Sequence, residues 1–522
     1  MQRDGANISL WQAGIDDFIS SGTPSPATNS AQSPSENKVY DVLVVGGGVT
    51  GVTTALQLQK AGMSCMIAEA HTLCFGTTGG TTAHLNTFFD TTYDRIVKDF
   101  GEDAALMVGS AAREALDLYR SNISTYGIDC EFSNQDGFLY ARDEQQAKAL
   151  DHIYTATKNA GVAIDHAYKI PLPIDFEKAV IYPGQAQVHP TKYVLALARI
   201  FEEAGGVILQ QCRVNDVKSG DILEVQTSQG SFKARYLVYA THIPPGINLL
   251  HFRCAPYRSY AMAVTLADDG YPQGLAYDMY DPYQYYRTQE VDGRKYLIVG
   301  GYDQKTGHQE NTDACFNHLE AHIRGHFNVD QVAYKWSSQY FESSDVLAYI
   351  GHLPENPKNV LVATGFGGNG MTFSHIAAIL LTGLIVKGDH PWAKLFNPGR
   401  IKPVAGFANF VKENADVVAQ FVGKRLATEK ISELADLAPG EGRVVKYEGD
   451  TLALYKGEQG EVHAISPVCT HAKCVVAWNS SEKSWDCPCH GARYSVDGEV
   501  LTGPARKGLE VVNIEQGTRN IE

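Results

Sequence analysis

At 522 residues the chain has room for two or three domains, and 44% hydrophobic with 20% charged residues is the balance of a protein with a large packed core. A net charge of −15 argues against nucleic acid and anionic membrane as partners. Residues 1–38 carry no apolar run of the kind a secretory signal needs, and the longest apolar run, Ile376 to Val386, is broken by Thr382 and Gly383 and too short to span a bilayer.

In chain order, Ser9 to Phe18 carries apolar residues and can dock as an arm, and the Ser/Pro/Ala/Asn-rich segment 20–38 reads as a linker, so that 1–38 is arm plus linker. Tyr40 to Val45 is a continuous apolar run, the pattern of a parallel strand buried on both faces. Gly46-Gly47-Gly48-Val49-Thr50-Gly51 follows, then a helix from Val52 to Ala61 and a second strand, Ser64 to Ala68, ending at Glu69. A GxGxxG between strand and helix, with an acid 23 residues after Gly46, is a dinucleotide-binding fingerprint. Gly46 and Gly48 permit the tight turn and the close backbone approach, and Gly51 permits helix–strand packing. With Val49 between them, the helix N-terminus faces a pyrophosphate, and Glu69 holds the adenosine ribose. A Thr-rich loop, Thr77 to Thr82, comes next. Further on, Tyr236 to Ala240 and Asn359 to Thr364 read as two more buried strands. The second leads into Gly365-Phe-Gly367-Gly368-Asn369-Gly370-Met371-Thr372 and a helix from about Phe373 to Val386. No second nucleotide fingerprint with its own acid occurs, so a direct NAD(P)H site is not expected.

Residues 391–403 read as a domain exit, and Phe407, Phe410, Val411, Val417 and Phe421 give 391–429 the spacing of a connector helix. From Ile431 onward short alternating strands with Gly turns suit a small β-barrel over 430–522. This barrel carries Cys469-Thr-His471-Ala-Lys-Cys474 and, after a 12-residue gap, Cys487-Pro-Cys489-His490-Gly491. Cys469, His471, Cys487 and His490 match the two-thiolate, two-imidazole ligand set of a Rieske [2Fe–2S] centre. Zinc also accepts two Cys and two His. Each loop here, however, offers one Cys and one His, as a mixed two-iron cluster needs, whereas zinc fingers usually pair the two Cys first. The remaining six cysteines (65, 74, 130, 212, 254, 315) are scattered singly, the pattern of reduced thiols in a cytoplasmic protein.

The glycine loop at 365–372, with the fingerprint at 46–51, resembles the D-amino-acid oxidase/glycine oxidase superfamily over roughly 39–390. The Cys/His loops resemble the Rieske proteins of cytochrome bc complexes over roughly 430–520. Together they resemble bacterial FAD-dependent oxidoreductases with a fused C-terminal Rieske domain, as does the opening Arg3-Asp4-Gly5 to Trp11. The resemblance implies an α/β + β chain: a Rossmann-like FAD domain over 39–390, an antiparallel-sheet substrate subdomain inserted within about 85–350, and an all-β Rieske domain. It implies that Gly365, Gly367, Gly368, Asn369, Gly370, Met371 and Thr372 face the flavin, and that Ala240 and Thr241 end that fold's middle strand. It also puts Val214 at the adenine and Thr78, Thr81 and Thr82 along the phosphates and ring.

The same resemblance makes Arg287 the candidate clamp for a substrate carboxylate, beside Tyr285. It puts Tyr340 where glycine oxidases carry a second Arg, and His84 where some relatives attach FAD covalently. Tyr302, Asp303, His308 and His189 are further polar candidates. In the Rieske domain it implies a Cys474–Cys489 disulfide, a cluster loop Gly503-Pro504-Ala505, and a Tyr494 bond to a ligand sulfur. Ala492 stands where high-potential relatives have Ser, which implies a lower potential. The expected function is dehydrogenation of a small amine or hydroxy compound. Electrons pass from FAD to the cluster and leave through an exposed His edge to an external carrier or quinone. The alternatives are the reverse flow, a reductase, and a non-catalytic sensor or adaptor.

Overall fold

The run Val39–Val45 forms a strand because nearly every side chain in it is apolar and both its faces are covered. In the computed structural model, which describes residues 3–16, 18, 38–280, 283–400, 429–431 and 433–514, it lies near the middle of an eight-stranded sheet. The main path runs Tyr349–His352, Val360–Thr364, Gly230–Tyr239, Val39–Val45, Cys65–Ala68, Val207–Leu209. The last five strands are parallel and the first is antiparallel. The helices Val49–Lys60, Pro190–Glu203 and Gly370–Lys387 pack together on one side. Gly370–Lys387 is long and apolar enough to cross a membrane, yet 72% of it is buried inside the protein, where it is a core helix.

A second sheet of nine strands stands beside the first. Its path is Val329–Ser343, Cys254–Leu266, Arg294–Lys305, Tyr285–Val291, Leu275–Asp278, Ser133–Ala141, Lys178–Gln187, His84–Leu85. It is antiparallel as expected, except that Leu275–Asp278 runs parallel to Ser133–Ala141. The C-terminal region holds two four-stranded sheets, one from Glu429 to Ile465 and one from Ala477 to Thr502, and the second frames the Cys/His loops. The arm docks: Leu10 and Trp11 are buried against Ala261, Ile298 and Trp336. Most of the linker and most of the expected connector helix lie outside the described residues.

Candidate flavin and iron–sulfur site

The C-terminal ends of the parallel strands open onto a cavity of about 310 Å³, which the fingerprint lines at one end. Gly46 has φ +110, and a Cβ on Gly51 would lie 1.9 Å from the Gly46 carbonyl oxygen, so neither position admits a side chain. The Val49 amide donates to Thr78 Oγ1 (3.0 Å), which brings the Thr-rich loop over the fingerprint. Glu69 accepts from the Gly47 and His71 amides at 2.6 and 2.8 Å. Burial pushes its pKa up despite those bonds. Val214, Ala240, Thr241, Thr78, Thr81, Thr82, Gly367, Gly368, Asn369, Gly370 and Met371 all line the cavity. Gly365 and Thr372 do not. Gly365 makes a left-handed turn against Cys254, and the Thr372 hydroxyl donates to the Asn86 carbonyl. A glycine-walled cradle at two uncapped helix N-termini, with a carboxylate at its edge, fits FAD.

The other end of the cavity lies on the second sheet. Tyr285 and Tyr340 line it, with Tyr277, Tyr283, Asp90, Asn86, Ser259 and Asp303. Tyr340 donates to Asp303 (2.8 Å) and Tyr283 to Asp90 (3.0 Å). His84 also lines this end, hydrogen-bonded through Nδ1 to the Tyr277 hydroxyl; burial first, and Arg287 second, hold it neutral. Arg287 is not part of this wall. It shares a strand face with Tyr285 but sits two residues further on, behind the turn at Thr82–Ala83. Its guanidinium donates to the carbonyls of Thr82 (2.7 Å) and Ala83 (2.8 Å) and lies 5.2 Å from the Trp11 ring. Burial draws its pKa down to about 9. The expected carboxylate clamp is therefore a brace for the Thr-rich loop. Of the other polar candidates, Asp303 reaches the cavity, whereas His189 caps the helix Pro190–Glu203. Sequence reasoning missed Asp90, Asn86 and Tyr277. Tyr283 alone carried a signal, lying two residues before Tyr285, just outside the strand Tyr285–Val291.

In the C-terminal region Cys469 and Cys487 are buried, and a hydrogen bond with the Cys487 thiol, aided by Tyr494, draws the Cys469 pKa down to about 6. The Nδ1 atoms of His471 and His490 are buried with no hydrogen-bond partner, as metal-directed nitrogens should be. The sulfurs of Cys474, Cys487 and Cys489 lie within 4.8 Å of one another, but Cys474 and Cys489 are joined (S–S 2.03 Å), which leaves only Cys487 as a thiolate. Tyr494 Oη lies 3.2 Å from Cys469 Sγ. These donors fit a [2Fe–2S] cluster. The expected exposed His edge is instead turned inward. His471 is 9% and His490 4% exposed, and His471 Nε2 is 3.0 Å from the Gly246 carbonyl oxygen. The His251 ring stands 4.6 Å from His471 and 5.8 Å from His490. Gln339, on the cavity wall, donates to the Gly491 carbonyl at 2.9 Å. Leu501 to Gly503, Ala505 and Arg506 form part of the cavity wall itself.

The model of the FAD dependent oxidoreductase (DAO) family matches residues 41–384, and that of the Rieske [2Fe-2S] domain matches 428–513. The chain belongs to the DAO family of FAD dependent oxidoreductases. It is an oxidoreductase with a fused Rieske domain, carrying FAD and a [2Fe–2S] cluster. YhfW of Bacillus subtilis (strain 168), a Rieske 2Fe-2S iron-sulfur protein by name, is 33% identical over 92% of this chain and 94% of its own. Gamma-glutamylputrescine oxidoreductase of Escherichia coli (strain K12) is 23% identical over 68% of this chain and 85% of its own. Among solved structures, glycine oxidase from Geobacillus kaustophilus superposes with a TM-score of 0.56 at 21% identity, over 69% of this chain and 99% of that one. This last likeness shows a shared fold. Unlike the amino-acid sites suggested by the resemblance, this DAO cavity offers no arginine at its tyrosine-lined end among the described residues.

Proposed function

We propose that the protein is a dehydrogenase that oxidises a small amine or hydroxy compound at the tyrosine-lined end of the cavity. The observation that carries this reading is the docking of the cluster loops beside the cavity, through His471 to Gly246, next to the wall residue Pro245, and through the wall residue Gln339 to Gly491. In this reading Gly46, Gly48, Val49 and Gly51 shape the pyrophosphate turn and Glu69 meets the ribose. Thr78, Thr81, Thr82, Val214, Ala240, Thr241 and the loop Gly367–Met371 hold the rest of FAD. Cys469, Cys487, His471 and His490 hold the cluster. Bound FAD supplies a two-electron hydride acceptor and the cluster a one-electron path. The substrate C–H beside N or O breaks with its electron pair leaving as hydride, the N–H or O–H proton goes to water, and a C=N or C=O bond forms. The two electrons then leave singly to an external one-electron carrier or a quinone. The six cysteines outside the cluster loops, all buried and unpaired, support a reducing, cytoplasmic setting.

The test is a cluster-free variant, Cys487→Ser, screened anaerobically beside the wild type against a panel of amines and hydroxy compounds. With a substrate that bleaches the wild-type flavin, the variant should still bleach but lose turnover with cytochrome c as acceptor. Turnover retained without the cluster would contradict the relay.

A further inference from the structure

A loop runs from the flavin cavity to the cluster histidines. The strand Gly230–Tyr239 ends at the cavity, and Ala240, Thr241, His242, Ile243 and Pro245 continue along its wall. Pro244 and Pro245 fix φ on the approach to Gly246, whose φ of +82 is a left-handed conformation that glycine adopts freely. That turn brings the Gly246 carbonyl oxygen to His471 Nε2 (3.0 Å), while the Gly246 amide donates to the Pro504 carbonyl (3.0 Å). A carbonyl only accepts, so His471 carries its ring proton on Nε2, which leaves its unpartnered Nδ1 for iron. His251 closes the loop on itself. Its Nε2 donates to the Pro244 carbonyl (2.9 Å) and its Nδ1 accepts from the Asn248 amide (3.3 Å). Both ring nitrogens are filled from within the loop, so His251 is not a spare iron ligand. Its ring, 4% exposed, instead packs perpendicular to His471 (4.6 Å, 87°) and tilted against His490 (5.8 Å, 51°), and those two rings lie 5.0 Å apart. The two ligand histidines are not equivalent. Neither ring nitrogen of His490 has a hydrogen-bond partner, and its link to the cavity wall runs through the backbone of Gly491 to Gln339.

We infer that His251 is a positioning residue for the cluster, and that the loop it closes, Pro244 to His251, makes His471 the ligand through which electrons enter from the flavin side. A hydrogen bond to the far nitrogen of a ligand imidazole fixes the ring's orientation and raises its basicity. His251 controls that bond because its own two bonds hold the Pro244–Gly246 turn in place. Tunnelling falls off less steeply along covalent and hydrogen bonds than across gaps. From His471 one hydrogen bond leads straight from the ligand ring to Gly246, beside the wall residue Pro245. From His490 the path must first traverse its side chain and the Gly491 backbone. One electron moves at a time from reduced FAD to the oxidised cluster, and no bond forms or breaks. The positioning role rests only on the cluster, whereas the entry role rests on the relay reading.

The experiment compares the FAD- and cluster-loaded full-length protein with its variants His251→Phe, His251→Gln and Gln339→Leu. EPR of the dithionite-reduced cluster reads the ligand geometry, an EPR-monitored titration reads its potential, and flash photoreduction reads the rate of flavin-to-cluster transfer. His251→Phe keeps a ring against the ligands and loses both loop bonds. It should shift the g values and the potential and slow transfer about ten- to a hundredfold. His251→Gln restores a donor for the Pro244 carbonyl and should fall between the wild type and His251→Phe. Gln339→Leu cuts the other link and should slow transfer less than His251→Phe does. Wild-type g values and potential in His251→Phe, with only Tm lowered, would overturn the positioning role. A greater slowing in Gln339→Leu would overturn entry through His471. Should His251→Phe fail to hold the cluster, Asn248→Ala carries the same test, because it removes the cap on the Leu250 amide from the same loop and leaves the His251 ring in place. If wild-type flavin and cluster do not exchange electrons while His251→Phe still shifts the EPR, the relay falls and the positioning role stands. If exchange is equally fast in every variant, the relay stands and the entry role falls.

Discussion

Arg287 shows how a residue type can be read correctly and its role wrongly. A buried guanidinium suggests recognition of an anion, but here its fork is filled by the Thr82 and Ala83 carbonyls. Arg287→Lys keeps the charge and loses the fork, so it should loosen the Thr-rich loop at a cost of about 1.5–3 kcal/mol. The expected readout is a lower Tm and faster FAD release, with no selective loss of affinity for carboxylates. Tyr494 is a second single-residue test. Its hydroxyl lies 3.2 Å from Cys469 Sγ, and hydrogen bonds to sulfur raise a cluster's potential. EPR-monitored titration should find Tyr494→Phe below the wild type and Ala492→Ser above it. Asp278 gives a pH dependence. Burial lifts its folded pKa from 3.8 to about 6. Its contribution to stability is therefore fully present below the unfolded value and lost as pH rises through about 6. Asp278→Asn should accordingly be stabilised by up to about 3 kcal/mol at pH 8 and gain little near pH 3.5, read as Tm at the two pH values.

At the scale of elements, legibility tracked the local physics. The strands at Tyr40–Val45 and Asn359–Thr364 and the glycine loops after them were readable. Parallel strands covered on both faces are continuous apolar runs, and the turns that follow them admit no side chain. The Cys/His loops were readable because ligand spacing is local. The tyrosine-lined end was readable only in part: Tyr285, Tyr340, His84 and Asp303 were named, but Asn86, Asp90 and Tyr277 were not, because the end is assembled from distant residues on strands whose lateral order no local pattern encodes. The direction of the His edge was unreadable for the same reason. The arm was legible as something that docks but not as to where. Trp11 is fully buried, donates to the Thr81 carbonyl and faces Arg287, while Ser9 and Gln12 bond Gly79 and Cys74. Trp11→Ala should cost about 3–5 kcal/mol and, by freeing the Thr-rich loop, raise the FAD dissociation rate measured on dilution.

On the scale of the whole molecule, the two cofactor regions are fastened by buried charge as well as by loops. Asp4 from the arm, Arg258 from the second sheet, and Asp486 and Arg493 from the Rieske domain are each at most 4% exposed. Arg493 bonds both Asp4 (2.7 Å) and Asp486 (3.0 Å), and Arg258 lies 3.6 Å from Asp486. Glu482 accepts from the Ser337 amide and hydroxyl and lies 3.6 Å from Arg3. The junction thus holds three carboxylates and three guanidiniums. Removing one member strands its partners, a loss of about 3–5 kcal/mol when a buried pair is broken. Asp4→Ala should therefore slow electron exchange between the centres as well as lower Tm. A junction this tightly fastened keeps the cluster histidines buried against Gly246 and His251 and away from solvent, so the relay should run without the domains parting. Anaerobic photoreduction of the FAD- and cluster-loaded protein, followed at once by flavin absorbance and cluster EPR, measures that directly. Flavin and cluster should reach redox equilibrium within the mixing time. A flavin that reduces fully while the cluster stays oxidised would contradict the account.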